Sequence, residues 1–128
     1  MMQDHHHYQL GKTIVDHVRS GASDDSPLWA EHYAPDFESV EADGQSWKGV
    51  EQVRDKHAEW QKTVTMHGCE VEGPFCGPSG FSVRYEIDAE SKDGSWPRMT
   101  MLEVGHYTVK DGKIVREEFQ VIPMQGQS

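Results

Sequence analysis

The sequence contains few cysteines, and their number and spacing argue against a four-cysteine zinc site and against a disulfide. Cys69 and Cys76 are the only two, so no second pair exists that could complete a four-cysteine zinc site. On one unbroken strand, an odd separation places two side chains on opposite faces, which disfavours a disulfide. We therefore predict two buried free thiols.

Basic residues and long apolar runs are also scarce. Twelve Lys and Arg stand against 22 Asp and Glu, giving a net charge of −10. Such a chain repels phosphate backbones and anionic lipid, so neither nucleic acid nor a membrane is an expected partner. No apolar run approaches the roughly 20 residues of a membrane span, and the start, MMQDHHHYQL, lacks the apolar core of a signal peptide. A cytoplasmic protein is expected.

The length and the aromatic content indicate one packed domain. The chain has 128 residues, with four Trp, four Tyr and four Phe, which is enough to bury a core and argues against disorder. We expect residues 1–7, with the His5–His7 tract, to be a disordered or tag-like terminus. The domain should cover residues 8–122, and a tail should follow at 123–128.

The first half of the sequence reads as helices. Apolar side chains recur at helical spacing over residues 8–20, and "SPLWAEHY" opens with a capping serine and a proline suited to the first helical turn. Gly49 precedes a third helix, which carries "KGVEQVRDKHAEW" and runs to about Lys62. Its apolar face has the i, i+3, i+7, i+10 spacing and includes a histidine among Val50, Val53, His57 and Trp60.

The second half reads as strands that alternate in polarity. Four long segments are separated by short connections such as Lys92-Asp93-Gly94 and Lys110-Asp111-Gly112-Lys113. Before the third helix, "APDFESVEADGQSW" predicts a strand, a turn at Asp43-Gly44 and a short return strand. Helices followed by antiparallel strands define an α+β fold.

Four stretches resemble the SnoaL-like branch of the ketosteroid isomerase and nuclear transport factor superfamily. They are "HYAPDFESVEADG", "WKGVEQVRDKHAEW", "EVEGPF" and "EVGHYTVKDGKIVREEF", and with their spacing they cover roughly Tyr8 to Val121. The resemblance implies a cone-shaped, curved antiparallel sheet wrapped around N-terminal helices, also described as a cystatin-like α+β barrel. It also implies a deep apolar pocket and, in many members, a homodimer formed through the sheet. Because the superfamily includes isomerases, cyclases, dehydratases and non-catalytic binders, the fold does not specify the reaction.

The resemblance places Glu41 where ketosteroid isomerases carry their carboxylate base. A carboxylate in an apolar pocket gains proton affinity and suits proton abstraction beside a carbonyl. The alternative is a solvated carboxylate at a strand end. The oxyanion-binding tyrosine of those isomerases is replaced by Ile14, which cannot donate, although His17, Tyr33 or Tyr107 could substitute. Glu103 is the acidic residue nearest the position of the second oxyanion donor.

Two histidines are further catalytic candidates. His57 lies on the apolar face of the third helix, and His67 shares a strand face with Cys69 and Val71. Imidazole transfers protons near neutral pH, but a lone inward histidine is more often a hydrogen-bonded core residue, and that is the alternative for each. Glu117 is predicted to face inward or to form a salt bridge with Arg84 or Arg98.

These observations predict a small-molecule pocket without a cofactor. Ligand-type residues occur, but no HxH or HExxH spacing supports a metal site. The leading hypothesis is an isomerase-, cyclase- or dehydratase-type enzyme that acts on an apolar carbonyl compound by acid–base catalysis. The alternative is a binding, dimerisation or accessory domain without turnover. Catalytic candidates are Glu41, His57 and His67; candidate ligand-binding residues are Trp29, Tyr33, Trp47, Trp60, Glu103, Tyr107 and Glu117, with the tryptophans lining the cavity or filling the core.

Overall fold

The architecture is seen in a computed structural model that describes the backbone of residues 2–122 and the side chains of residues 6–122. The predicted tail at 123–128 lies outside the described residues. The elements in chain order are α1 (Met2–Arg19), α2 (Ser26–His32), β1 (Tyr33–Val40), β2 (Ser46–Lys48), α3 (Gly49–Thr63), β3 (Val64–Gly77), β4 (Gly80–Ser91), β5 (Met99–Lys110) and β6 (Lys113–Val121).

The six strands form one curved, open sheet in the order β2-β1-β6-β5-β4-β3. The predicted α+β fold and its run of long antiparallel strands are confirmed. One pairing was not predicted from sequence: β1 lies parallel to β6, with Ser39 opposite Glu117. Local turn signals indicate only hairpins, whereas this parallel pair joins the first strand to the last.

The three helices lie on the concave face of the sheet. α3 agrees closely with its prediction, and Val53 on its apolar face is fully buried. α1 begins at Met2, earlier than the predicted residue 8, and includes the histidine tract that we expected to precede the fold. His7 is buried, and its Nδ1 lies 2.9 Å from the carbonyl oxygen of Gly77 at the end of β3. That tertiary contact explains the longer helix.

The core lies between the helices and the sheet. Its most completely buried members include Val15 of α1, Phe37 of β1, Phe81 and Val83 of β4, and Ile114 of β6.

The two thiols that we predicted to be buried differ in exposure. Cys69 is half-buried, whereas Cys76 is exposed. The prediction is therefore wrong for Cys76. Cys76 lies near the end of β3, which is an edge strand of the described sheet and pairs with β4 alone.

None of the helices among the described residues is long and apolar enough to cross a bilayer.

The β3–β4 connection gives a test of the backbone packing. A Cβ added at Gly80 would lie 1.8 Å from the carbonyl oxygen of Tyr107 on β5. We expect Gly80→Ala to lower the free energy of unfolding by about 2 kcal/mol or more, because backbone must move to relieve the clash. Urea denaturation measures this change.

Gly77 is the matched control because it pairs with Gly80 across the same hairpin. A Cβ there meets no atom within 4 Å, so Gly77→Ala should change stability little. Equal losses in the two variants would contradict the close packing of β4 against β5.

Candidate functional site

A cavity of about 790 Å³ opens between the helices and the concave face of the sheet. This volume suits a small organic ligand. Ile14 and Val18 of α1, Leu28 and Trp29 of α2 and Ile87 of β4 supply apolar lining.

A glycine on β5 leaves room for two of the rings that line the cavity. A Cβ at Gly105 would lie 3.0 Å from the Phe119 ring and 3.1 Å from the Tyr85 ring. Both rings line the cavity, so their positions depend on the absence of a side chain at Gly105.

A buried carboxyl group lies in the wall of this cavity. Glu117 of β6 is only 5% exposed. The Tyr33 hydroxyl donates to its Oε1 at 2.9 Å, and the Ser39 hydroxyl donates to its Oε2 at 2.7 Å. Burial raises the pKa of Glu117, while the hydrogen bond from Ser39, the charge of Lys56 and the hydrogen bond from Tyr33 oppose the rise.

Lys56 of α3 connects this carboxyl to a second one. Its Nζ donates to the Ser39 hydroxyl oxygen at 2.8 Å and to Glu41 Oε1 at 2.9 Å. The ammonium group also lies 4.8 Å from the centroid of the Trp47 ring, a cation–π distance. Glu41 directly follows the last residue of β1. It lies at the edge of the cavity and forms an ion pair with Lys56.

Two histidines and an aspartate form a polar group on the helical side. His57 Nδ1 lies 3.5 Å from Asp25 Oδ2, and His17 Nε2 lies 2.8 Å from Asp25 Oδ1. The Trp29 and His57 rings pack edge to face, with their centroids 5.1 Å apart. Burial lowers the pKa of His57, with Asp25 opposing the decrease and Lys56 adding to it. A neutral imidazole with its proton on Nδ1, toward Asp25, has Nε2 available as an acceptor.

Further polar groups of the cavity come from β3, β4 and β5. Burial raises the pKa of Glu103, and the nearby negative charge of Glu41 raises it further. Burial also raises the pKa of the Cys69 thiol to about 11, which disfavours a reactive thiolate. The hydroxyls of Tyr85 and Tyr107 hydrogen-bond to each other, and burial raises the pKa of both.

Most residues nominated from the sequence line this cavity. They are Trp29, Tyr33, Glu41, His57, Trp60, His67, Glu103, Tyr107 and Glu117. Trp47 is the exception: it is partly buried and packs against the core beside Lys56 rather than among the lining residues.

Two of the sequence expectations require correction. A bulge between Met66 and Gly68 interrupts the alternation of β3, so His67 does not share the strict inward register of Cys69 and Val71. Its Nε2 lies 3.2 Å from Glu90, and the side chain lies at the cavity rim.

The second correction concerns one of the two alternatives given for Glu117: its side chain faces inward, as the first alternative had it, and the salt bridge of the second is absent among the described residues. The suggested salt bridges to Arg84 or Arg98 do not form, because Arg84 pairs with Glu72 and Arg98 with Asp88.

Sequence reasoning missed three residues of the site: Asp25, Ser39 and Lys56. Lys56 had a usable signal, because Val53, Lys56 and Trp60 lie at i, i+3 and i+7 on α3. Asp25 comes from the loop before α2, and only the tertiary fold brings it to His57. Within residues 6–122, His, Cys, Asp and Glu side chains form no group of three or more arranged to hold a metal ion.

Helices packed on one face of a curved sheet, with a cavity between them, define an α+β fold with an internal cavity. The sequence profile of the SnoaL-like domain matches residues 24–121. The chain belongs to the SnoaL-like domain family, which confirms the resemblance seen in the sequence.

Solved structures agree with this assignment. A Mesorhizobium loti protein, provisionally called a SnoaL-like polyketide cyclase and a carbohydrate phosphatase, is 34% identical with a TM-score of 0.77, covering 87% of this chain and 95% of that one. A provisional SnoaL-like polyketide cyclase from Jannaschia sp. CCS1 is 16% identical with a TM-score of 0.71, covering 93% and 87%. A second M. loti protein, NTF2-like and of unknown function, is 16% identical with a TM-score of 0.69, covering 94% of each chain. The last two show a shared fold. No curated protein matches the chain.

The burial of Glu117 predicts a specific pH dependence of stability. A carboxyl whose folded pKa is raised contributes stability that is complete below its unfolded pKa and is lost as pH rises through the folded pKa. Glu117→Gln removes this titration. We therefore expect the free energy of unfolding of Glu117→Gln, relative to wild type, to become more favourable as pH rises from about 4.5 to about 8. Denaturant titrations across that range measure the difference.

Glu118→Gln is the matched control, since Glu118 is the next residue on β6 and forms a partly exposed ion pair with Arg116. Its relative stability should not follow the same rise. A difference between Glu117→Gln and wild type that is independent of pH would contradict the raised pKa.

Proposed function

We propose that this protein is an acid–base enzyme that acts on a small, largely apolar molecule carrying a carbonyl group. One observation carries the proposal: a single cavity holds two groups whose proton affinities are shifted in opposite directions. The pKa of His57 is lowered and that of Glu117 is raised, both chiefly by burial. Such opposed shifts separate a base from an acid in one site.

In this proposal His57 is the general base. Asp25 orients the ring from the Nδ1 side, so that Nε2 can accept a proton from a carbon next to the substrate carbonyl. The distance of 3.5 Å between His57 Nδ1 and Asp25 is long for a hydrogen bond, as is common for catalytic pairs before substrate binds. Glu117, which accepts a hydrogen bond from the Tyr33 hydroxyl, is the acid of the proposed pair.

The role of Glu41 differs from the one implied by the family resemblance. Its carboxylate is held 2.9 Å from Lys56, and abstraction of a proton by Glu41 would first require that ion pair to open. We therefore propose His57 for the step that the resemblance gave to Glu41. Dimerisation through the sheet stays a prediction.

A non-catalytic binder is the second candidate. The observation that favours it is the completeness of the internal polar network: among the described residues, every buried side-chain nitrogen and oxygen atom has a hydrogen-bond partner. A cavity whose polar groups satisfy one another can hold an apolar ligand without any chemistry.

Hydrogen–deuterium exchange at carbon tests the proposal without knowledge of the full reaction. The protein is incubated in deuterium oxide with flat aryl ketones, such as 1-tetralone and 2-acetylnaphthalene, and deuterium uptake beside the carbonyl is followed by proton NMR. We expect catalysed uptake that His57→Asn reduces by about 100-fold or more, because Asn keeps a donor toward Asp25 but lacks the Nε2 acceptor.

Two variants serve as controls, each checked for an unchanged melting temperature. His67→Asn removes a histidine from the cavity rim and should leave the exchange rate unchanged. Glu41→Gln should lower the exchange rate less than His57→Asn does, and a larger loss in Glu41→Gln would assign the base to Glu41. A ketone that stabilises the protein but shows no catalysed exchange would favour the binder.

A further inference from the structure

A continuous chain of hydrogen bonds joins the buried carboxyl group to the protein surface. It runs from Glu117 to the Ser39 hydroxyl at 2.7 Å, from Ser39 to Lys56 Nζ at 2.8 Å, and from Lys56 to Glu41 at 2.9 Å. Each link is within ordinary hydrogen-bond distance. Every group along the chain carries an exchangeable proton or accepts one.

One end of this chain is buried and the other is exposed. Glu117 and Ser39 are 5% and 0% exposed, whereas the side chains of Lys56 and Glu41 are 14% and 37% exposed. A proton that leaves Glu117 along these bonds therefore reaches bulk water at Glu41. The groups outside Glu117 come from β1, from α3 and from the segment after β1, and these packed elements give the path a fixed geometry.

We propose that Ser39, Lys56 and Glu41 form a proton relay that exchanges the proton of Glu117 with solvent. Its catalytic purpose rests on the proposed function, because an acid that gives up a proton in each turnover must regain one. The relay itself is a property of the free protein.

The proton balance of the relay is simple. Lys56 first passes one ammonium proton to Glu41. Lys56 then accepts the hydroxyl proton of Ser39 while Ser39 takes the carboxyl proton of Glu117. The result is an ionised Glu117, an intact serine, a restored ammonium group and a protonated Glu41, which releases its proton to water. Reversal of these steps protonates Glu117 again.

Lysine is suited to this position in a way that arginine is not. A partly buried lysine can lose its proton transiently, whereas a guanidinium does not deprotonate in proteins. Lys56 is close to two aromatic rings, Trp47 at 4.8 Å and Phe119 at 5.8 Å, which limits the water around its ammonium group. Lys56→Arg therefore keeps the positive charge near Glu117 but interrupts proton transfer.

Other titratable groups act on Glu117 from the elements around it, and none of those in the described part of the chain continues the hydrogen bonds to the surface. They are Tyr33 of β1, Asp25 of the loop before α2, Tyr85 of β4 and Tyr107 of β5. The tyrosines are buried, so the Ser39 side is the connected route among the described residues.

Carbon-13 NMR of the free protein tests the relay. Glutamate is labelled at Cδ, the Glu117 signal is assigned by its loss in Glu117→Gln, and the signal is followed through its titration. With the relay, wild type should give one averaged signal that moves with pH. Lys56→Arg and Ser39→Ala should give two separate or strongly broadened signals, because proton exchange becomes slower than the difference in resonance frequency.

Lys12→Arg is the matched control, since Lys12 also lies 2.9 Å from a carboxylate, Asp16, but on the exposed surface of α1. Its Glu117 signal should match that of wild type. An averaged signal in Lys56→Arg and Ser39→Ala would overturn the relay, because Glu117 would then exchange directly with water in the cavity. Separate signals in wild type would overturn it as well. No substrate is present, so failure of ketone exchange and failure of the relay are distinguished.

Discussion

The hydrogen-bonded burial of Glu117 is the constraint on which the site depends. A carboxyl group placed between helices and sheet costs free energy unless donors satisfy it. Both donors, Tyr33 and Ser39, lie on β1, 84 and 78 residues away in sequence. They reach Glu117 only because β1 pairs in parallel with β6, directly opposite at Ser39 and Glu117. The one parallel pairing of the described sheet therefore forms the polar floor of the cavity.

The same constraint explains why the concave face is left open rather than filled. Ser39 and Glu117 occupy positions where a fully packed α+β core would carry large apolar side chains. The apolar residues that line the volume come mostly from the helices and from β4, and Gly105 leaves room for the rings beside it. Polar groups therefore occur on both sides of the cavity, with Glu117 on the sheet and His57 beside Asp25 on the helical side.

Sequence patterns predict the parts of this arrangement that depend on local information. The inward face of α3, with His57, was predictable because helical spacing is a local property. The parallel pairing of β1 and β6 was not, because no turn signal connects two strands that are separated in the chain by β2, α3, β3, β4 and β5. Asp25 and Ser39 were missed for the same reason, since their significance lies in contacts with His57 and Glu117 that only the folded chain makes. His67 shows the opposite error: strict alternation predicts an inward side chain, but a bulge moves it to the rim, and the isolated Gly68 within the strand was a local signal for that bulge.

The proton affinities of His57 and Glu117 shift in opposite directions for one physical reason, because an imidazole is charged when protonated and a carboxyl group is charged when deprotonated. Burial disfavours the charged form of any group, so it lowers the pKa of His57 and raises that of Glu117. The partners then set how far each shift goes, since Asp25 favours a charged His57, whereas Ser39, Lys56 and Tyr33 favour a charged Glu117. Burial in one cavity therefore shifts the proton affinities of an imidazole and of a carboxyl group in opposite directions. Lys56 is the residue that links these effects, because its charge acts on both His57 and Glu117 while its hydrogen bonds join Ser39 to Glu41.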